Sequence, residues 1–596
     1  FDEQSTIIGN ETQRFSLRSR NTAQITSKMD IDLSLSASYN LNQIFNPGSD
    51  YYENLPIISP YNPDGTFRQY YRVIEGSNPD GSPKWVDKRF FNSVAEREQN
   101  DNNQKAFAFQ GNFKFSYSPI EELQYTGQFG ADYQGNTEEI YYSIKNWTGK
   151  DTEGNPLGTA YSNQSNFLNW NMIHRLNFNK QLKKHHVSGV IGLEMNSSEN
   201  NLTGARGTGF VNDHLRRVSL AQDRFGSGNY YERNSLSYLG QVSYSYNDRY
   251  NASLSFRRDG NSNFGKNVRW AEFASAGVSW NIHKEEFFES ETIDFLKLKA
   301  SYGTNGNSRI GSQEANGVYS IGDSYYYNGQ PGAVMTTAAN PNLSWETTYM
   351  TNLGIDIMLF DQRVNLSLEG YRNKTVDLLS QLDVSRTTGA LKIYRNIGAI
   401  ENKGIEATLR TQNIRTDKFN WNTTLIASRN ENKILELYNE IPKNNGNTRW
   451  EEGADINTFY LIRWAGVDPR DGYPLWYDTH GNVTRQYSAD NRVKYKSSTP
   501  DLYGSLRNTF NYKAFSLSVL ASYTIGGYAF SPFGRDVNSD GLNIMDENQS
   551  IDQLDRWQQA GDVVSVPKLQ WGVSTRSVMN STRYLFNKTH IRIQNV

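Results

Sequence analysis

Ser235-Leu-Ser-Tyr-Leu-Gly-Gln-Val-Ser-Tyr-Ser-Tyr246 is the stretch whose reading decides the fold. Leu236, Tyr238, Val242, Tyr244 and Tyr246 share one parity; Ser235, Ser237, Gln241, Ser243 and Ser245 share the other. Successive side chains of a strand point to opposite faces, so this run makes a strand with one greasy and one wet face. Two surroundings suit such a strand: a soluble sheet packed on a core, or a barrel with lipid outside and water inside.

The same alternation recurs along the chain and predicts about seventeen strands. They lie at 14–25, 30–41, 107–117, 123–133, 167–178, 187–195, 236–246, 251–258, 269–282, 296–304, 347–359, 364–372, 403–412, 419–429, 502–512, 515–524 and 590–596. Their connections alternate between two kinds. The short, charged kind includes Asn247-Asp248-Arg249, Phe360-Asp361-Gln362-Arg363 and Arg415-Thr416-Asp417-Lys418. The long kind, rich in Gly, Asn, Pro and Tyr, covers about 42–105, 135–166, 196–234, 306–345 and 433–500, with a compact member at 259–268. A sandwich has no reason to segregate loop length by end, whereas membrane barrels place short turns in the periplasm and long loops outside the cell. The fold class that follows is all-β, a large transmembrane antiparallel β-barrel. Inward parity then falls to Lys297, Lys299, Glu369, Glu406 and Arg410, beside outward Leu298, Ala300, Leu366, Leu368, Ala407 and Leu409.

Composition agrees. Hydrophobic residues are 36% of 596 while aromatics reach 13%, a poor recipe for several aliphatic cores but a suitable one for an apolar band with aromatic girdles. No run approaches the roughly 20 apolar residues of a spanning helix. The balance of 61 basic and 63 acidic residues gives no electrostatic case for nucleic acid. The absence of cysteine excludes thiol catalysis, disulfides and cysteine-ligated metals.

Several stretches resemble one family, the SusC/RagA-type TonB-dependent transporters of the Bacteroidetes outer membrane. They are Tyr244-Ser-Tyr-Asn-Asp-Arg-Tyr250 with Phe256-Arg-Arg-Asp-Gly-Asn-Ser-Asn-Phe-Gly265, Leu298-Lys-Ala-Ser-Tyr-Gly-Thr-Asn-Gly-Asn307, and Asn342-Leu-Ser-Trp-Glu-Thr347. Tyr394-Arg-Asn-Ile-Gly398 with Glu401-Asn-Lys-Gly-Ile-Glu406, Gly466-Val-Asp-Pro469, Thr499-Pro500 with Asn508 and Phe510, and Tyr584-Leu585 with Ile591-Arg-Ile-Gln-Asn-Val596 complete the set. The resemblance implies a 22-stranded barrel, of which residues 1–596 would be a part. Signal peptide, small N-terminal domain, TonB box, plug and closing strands are then expected elsewhere in a longer polypeptide.

It also implies a function: active import of oligosaccharides or peptides across the outer membrane, with a SusD-like surface lipoprotein as lid and TonB as energy source. Two other readings stay open. One is a SusC-like scaffold subunit of an envelope-assembly or secretion complex; the other is a passive porin.

Two groups of residues are candidate sites. Asp536, Asn538, Asp540, the Leu542 carbonyl and Glu547 fit the spacing of a twelve-residue calcium loop, with Gly541 at the sharp turn. A bound Ca²⁺ would stiffen an extracellular loop; the alternative is a solvated Asn/Asp turn, because the flanking 531–535 is a poor helix. Trp85, Tyr325, Tyr326 and Tyr327 fall in outer loops, where they could stack on substrate or pack on one another or on a partner protein. Trp270, Trp280, Trp345 and Trp421 read as girdle or rim aromatics. The seven histidines, His185-His186 in a short turn among them, form no catalytic constellation, so no enzyme is expected.

Overall fold

The computed structural model describes residues 1–46, 54–151, 153–312, 314–321, 330, 332–544, 547–571 and 574–596. Eighteen strands form one antiparallel sheet in which each strand pairs with the next in chain order, a pure meander. The first five are β1 (Asp2–Gln4), β2 (Glu11–Thr26), β3 (Met29–Gln43), β4 (Asp101–Ile120) and β5 (Leu123–Tyr142). Next come β6 (Thr159–Leu182), β7 (His185–Thr208), β8 (Asp223–Tyr246), β9 (Tyr250–Asn261), β10 (Trp270–Asn281) and β11 (Ile293–Asn307). The rest are β12 (Glu346–Leu359), β13 (Val364–Val376), β14 (Ala399–Arg415), β15 (Phe419–Glu436), β16 (Leu502–Tyr512), β17 (Phe515–Ile525) and β18 (His590–Asn595). All seventeen expected strands are present, with the three-residue β1 added before them. Among the described residues no second sheet stacks on this one; the five smaller sheets found there have all their strands in the connections between the long strands.

The meander also curls. In a flat sheet the β3–β4 and β17–β18 loops would stand about 67 Å apart, fourteen strand spacings of about 4.8 Å. Instead Leu55, Ile58 and Phe90 of the first loop and Phe533 and Val537 of the second line one groove.

Burial is inverted relative to a soluble protein. Leu254, Val278 and Leu353 are 59%, 59% and 62% exposed, while Ser237 on the other face is 5% exposed. The buried apolar clusters sit at the long-loop end: Tyr141, Ala160, Phe210 and Ala221; Tyr71, Val73 and Phe90; Phe264, Phe273 and Trp345. Such an exposed apolar face is stable only against hydrocarbon, where a strand's backbone groups must all be paired within the sheet.

Two sequence expectations need correction. The sequence reads 135–166 and 196–234 as loops, yet β5 to β8 run through much of them as strands of 20 to 24 residues. Nine to eleven residues cross a bilayer, so the remainder projects as a palisade beyond it. The polar pattern of Asn, Gln, Ser and Gly read as loop because water wets both faces there. The second correction concerns Trp345, which is no rim residue: it is buried against Phe264 and Phe273 and donates through Nε1 to the Arg269 carbonyl, 3.1 Å. Trp270, Trp280 and Trp421 do sit as exposed or half-buried ring pairs with Tyr238, Tyr250 and Phe510.

Candidate functional site

The inner face of the wall is a continuous polar lattice built by register. Ser245, Asn251, Ser279, Lys299, Gly354, Glu369, Glu406 and Ser428 follow one another across β8 to β15 in a single lateral row. One residue away, Tyr246, Tyr250, Trp280, Leu298, Ile355, Leu368, Ala407 and Ala427 make the apolar outer row. The parity assigned to Lys299, Glu369, Glu406, Leu298, Leu368 and Ala407 therefore holds.

Lys299 Nζ reaches Glu369 at 3.2 Å and Asp356 at 3.6 Å. It lies across Gly354, where a Cβ would stand 2.3 Å from Lys299 Cε, so a side chain at 354 would push the lysine off both carboxylates. Further round the wall, Glu194 takes Arg175 at 3.3 Å and Arg257 at 2.8 Å, and Arg257 also holds Asp259 at 2.6 Å. A trough of about 590 Å³ runs along β2 to β6 and is lined by Arg18, Ser36, Gln110, Asn112, Asp132 and Asn171 among others. The polar side chains of this face can hydrogen-bond water or a polar solute.

The mouth is braced by loop-to-loop contacts. Asp540 and Arg583 form a buried bidentate pair, Nη1 to Oδ2 at 2.5 Å and Nη2 to Oδ1 at 2.9 Å, with side chains 1% and 9% exposed. The Arg583 guanidinium also lies 5.0 Å over the Trp464 ring, and the Trp464 amide donates to Thr582 Oγ1 at 2.9 Å. Residues 526–589 are thereby fastened to residues 437–501. Burial pushes the neighbouring Tyr584 hydroxyl up to about 12, keeping it a donor to the Ser577 carbonyl at 2.9 Å. A second knot lies at Asp468, whose carboxylate accepts from Arg470 and Arg485 and from the Arg470 amide; these hydrogen bonds hold its pKa far below the usual carboxylate range. Trp557 Nε1 and the Gly561 amide donate to the Pro469 carbonyl at 3.1 and 2.9 Å, again joining the two loops.

The candidate calcium loop is organised around guanidinium groups. Asp540 is taken by Arg583 and Asp536 by Arg535, 2.8 Å. Asn538 accepts from Gln553 and donates to the Gly534 carbonyl, and Glu547 accepts from Asn543 at 2.9 Å. Asp540 and Gly541 both take positive φ, the sharp turn the spacing predicted. Leu542 packs its amide back on the Ser539 carbonyl at 3.0 Å, closing that turn. Among the described residues no three acidic or histidine side chains gather as a metal-holding group. The preceding 532–536 makes only a single helical turn, capped by Ser531, in keeping with the expectation of a poor helix there. Sequence spacing missed Arg583 because the partner lies 43 residues away; its only signal was an arginine beside Tyr584.

Trp85 sits half exposed on a loop hairpin of Tyr70–Ser77 and Pro83–Arg89, opposite Ile74. Tyr325, Tyr326 and Tyr327 lie outside the described residues.

The sequence profile described as "TonB dependent receptor-like, beta-barrel" matches residues 31–530. TonB-dependent receptor P3 of Formosa agariphila is 27% identical over 641 residues, covering 100% of this chain and 61% of its own length. TonB-dependent receptor SusC of Bacteroides thetaiotaomicron is 29% identical over 335 residues, 51% of this chain and 32% of the relative. Among solved structures, the RagAB peptide importer in its "closed-closed" state superposes with a TM-score of 0.83 at 24% identity, covering 98% of this chain and 65% of that one. The chain thus spans about three-fifths of the length of P3.

Proposed function

On the premise that this chain belongs to the TonB-dependent receptor β-barrel family of the outer membrane, we propose that it is the barrel part of an active importer of oligosaccharides or peptides. In this reading a SusD-like surface lipoprotein delivers solute to the mouth, and TonB, pulling on a plug within the wall, opens the path. The protein works as a transporter and carries out no chemistry of its own. The observation that carries the reading is the division of labour between wall and mouth. Eighteen strands hold a charge-compensated, polar inner face, and two of the long loops are tied to one another above it. A fixed polar wall suits passage, and a separately folded mouth suits capture.

The similarity to SusC, and to the barrel of the RagAB peptide importer, supports an importer over a scaffold. The test is uptake of a labelled oligosaccharide or peptide mixture by cells with and without the gene, each with TonB intact or deleted. Import is expected to need both genes. Uptake that persists without TonB would replace the importer with a passive porin, and unchanged uptake in the gene deletion would leave a scaffold.

A further inference from the structure

The outer surface carries a hollow that transport does not use. Ala252 and Ala300 form its floor with Val278 standing between them, Tyr244 and Leu353 form its sides, and Tyr250 and Trp280 the lip toward the short turns. All seven are on the lipid-facing parity by register. The hollow measures about 610 Å³ and has almost no polar lining. In a bilayer it must be filled by something apolar, because an empty recess forfeits the dispersion contacts of its lining.

The lip is rigid. The Tyr250 hydroxyl donates to Glu285 Oε1 at 2.5 Å, Trp280 Nε1 donates to the same oxygen at 2.8 Å, and Arg249 holds Oε2 at 2.9 Å. The two rings stack with centroids 6.3 Å apart and planes at 19°. Just beyond the lip the short turns present both signs of charge. Arg249 and Lys284 are the cations, and the exposed Asp248 and Glu286 the carboxylates, with Lys284 3.4 Å from Asp248 and Arg249 4.0 Å from Glu286. Phe287, 71% exposed, stands edge-on to Trp280 and belongs at the membrane interface.

We propose that this hollow binds one phospholipid of the periplasmic leaflet with a zwitterionic, ethanolamine-type headgroup. An acyl chain packs on Val278 and the small Ala252 and Ala300 that flank it, the phosphate meets Arg249 and Lys284, and the ammonium meets Glu286 and Asp248. A purely anionic headgroup would set its charge against those carboxylates and the nearby Glu285. The fixed lip separates this site from ordinary boundary lipid, since neither ring loses freedom when the chain enters. The site depends on the outward parity of the wall and holds whether or not the barrel transports.

Native mass spectrometry of the complete polypeptide, released from nanodiscs of equal phosphatidylethanolamine and phosphatidylglycerol, tests it. One phosphatidylethanolamine is expected to stay bound after other lipids are stripped, preferred about tenfold over phosphatidylglycerol, a difference of about 1.4 kcal/mol. Ala252→Trp with Ala300→Trp fills the hollow and abolishes retention, whereas Ala407→Trp, outward but three strands away, does not. Should the filled variant not fold, Asp248→Lys with Glu286→Lys leaves the hollow intact and is expected to turn the preference toward phosphatidylglycerol. Equal retention of both lipids by the wild type overturns the proposal, as does retention by the filled variant or no response to the charge reversal. Filling that splits a dimer without changing bound lipid would assign the face to a second copy instead.

Discussion

Exchanging two neighbouring residues for arginine separates the faces of the wall. Leu254 and Ser253 are adjacent on β9, Leu254 pointing out beside Val242 and Ala276, Ser253 pointing in beside Ser243 and Gly277. A strand rises about 3.3 Å per residue, and at a tilt of about 40° each residue gains about 2.5 Å of height. Tyr250 marks the periplasmic lip, so Leu254, four residues on, stands about 10 Å above it, close to the middle of an apolar band about 25 Å tall. Arginine on the lipid face at that depth costs about 2–4 kcal/mol. Leu254→Arg is therefore expected to lower the folding equilibrium in vesicles roughly 30- to 700-fold. Ser253→Arg points onto the polar inner face, where its neighbour Gly277 carries no side chain, and is expected to fall within about 0.5 kcal/mol of the wild type, as surface changes do. Denaturant titration of the complete barrel in lipid vesicles, followed by tryptophan emission, measures both. Equal costs, or a larger cost for Ser253→Arg, would refute the membrane-barrel reading of the parity.

Two further outcomes concern the mouth. Asp540→Ala strands the buried Arg583 guanidinium, a loss of about 3–5 kcal/mol for a buried pair broken on one side, so residues 526–589 should become protease-sensitive while the barrel stays folded; Asp540→Ala loops as resistant as wild type would show the brace to be dispensable. The Asp468 pKa is depressed in the folded loop, so its stabilisation is complete above the ordinary carboxylate value of 3.8 and is given up only as pH falls below that value toward the lower folded one. Hydrogen exchange at the Gly472 amide, which donates to the Asp468 carbonyl, should accordingly show constant protection from pH 7 to about 4 once the intrinsic rate is removed; protection lost near pH 6 would remove Asp468 from the knot.

What was legible in the sequence follows from physics. The parity of Ser235–Tyr246 could be read without neighbours because lipid and water are both uniform surroundings: one rule covers every position on a face. The palisade of β5 to β8 could not, since above the membrane the rule switches off and Asn163, Asn200 or Asn229 suits strand and loop equally. Trp345 was misassigned for a related reason. An aromatic near a strand end serves a girdle or a loop core alike, and only Phe264 and Phe273, folded onto it from other segments, decide. The Asp536–Glu547 spacing encoded the turn correctly, with Gly541 at φ +97°, but spacing alone is blind to a guanidinium arriving from residue 583.

The composition also has a physical reason. A barrel strand spends its inner parity on Ser, Asn, Lys and Glu, so a wall of this size contributes few apolar residues per unit length and brings the mean hydropathy to -0.72. The loops face the opposite problem. They stand in water on both sides, cannot borrow stability from lipid, and must bury apolar surface of their own to hold a shape. That is why Trp476, Leu461, Ile462, Leu343 and Phe264, among the most deeply buried side chains, all lie in the long connections. It is also why those connections fold against one another: singly each is too small to enclose a core, and pairing residues 437–501 with 526–589 through Trp464, Arg583 and Asp540 supplies one. A mouth built this way responds as linked blocks, so a force or ligand acting on one of these two loops is transmitted to the other through a buried ion pair.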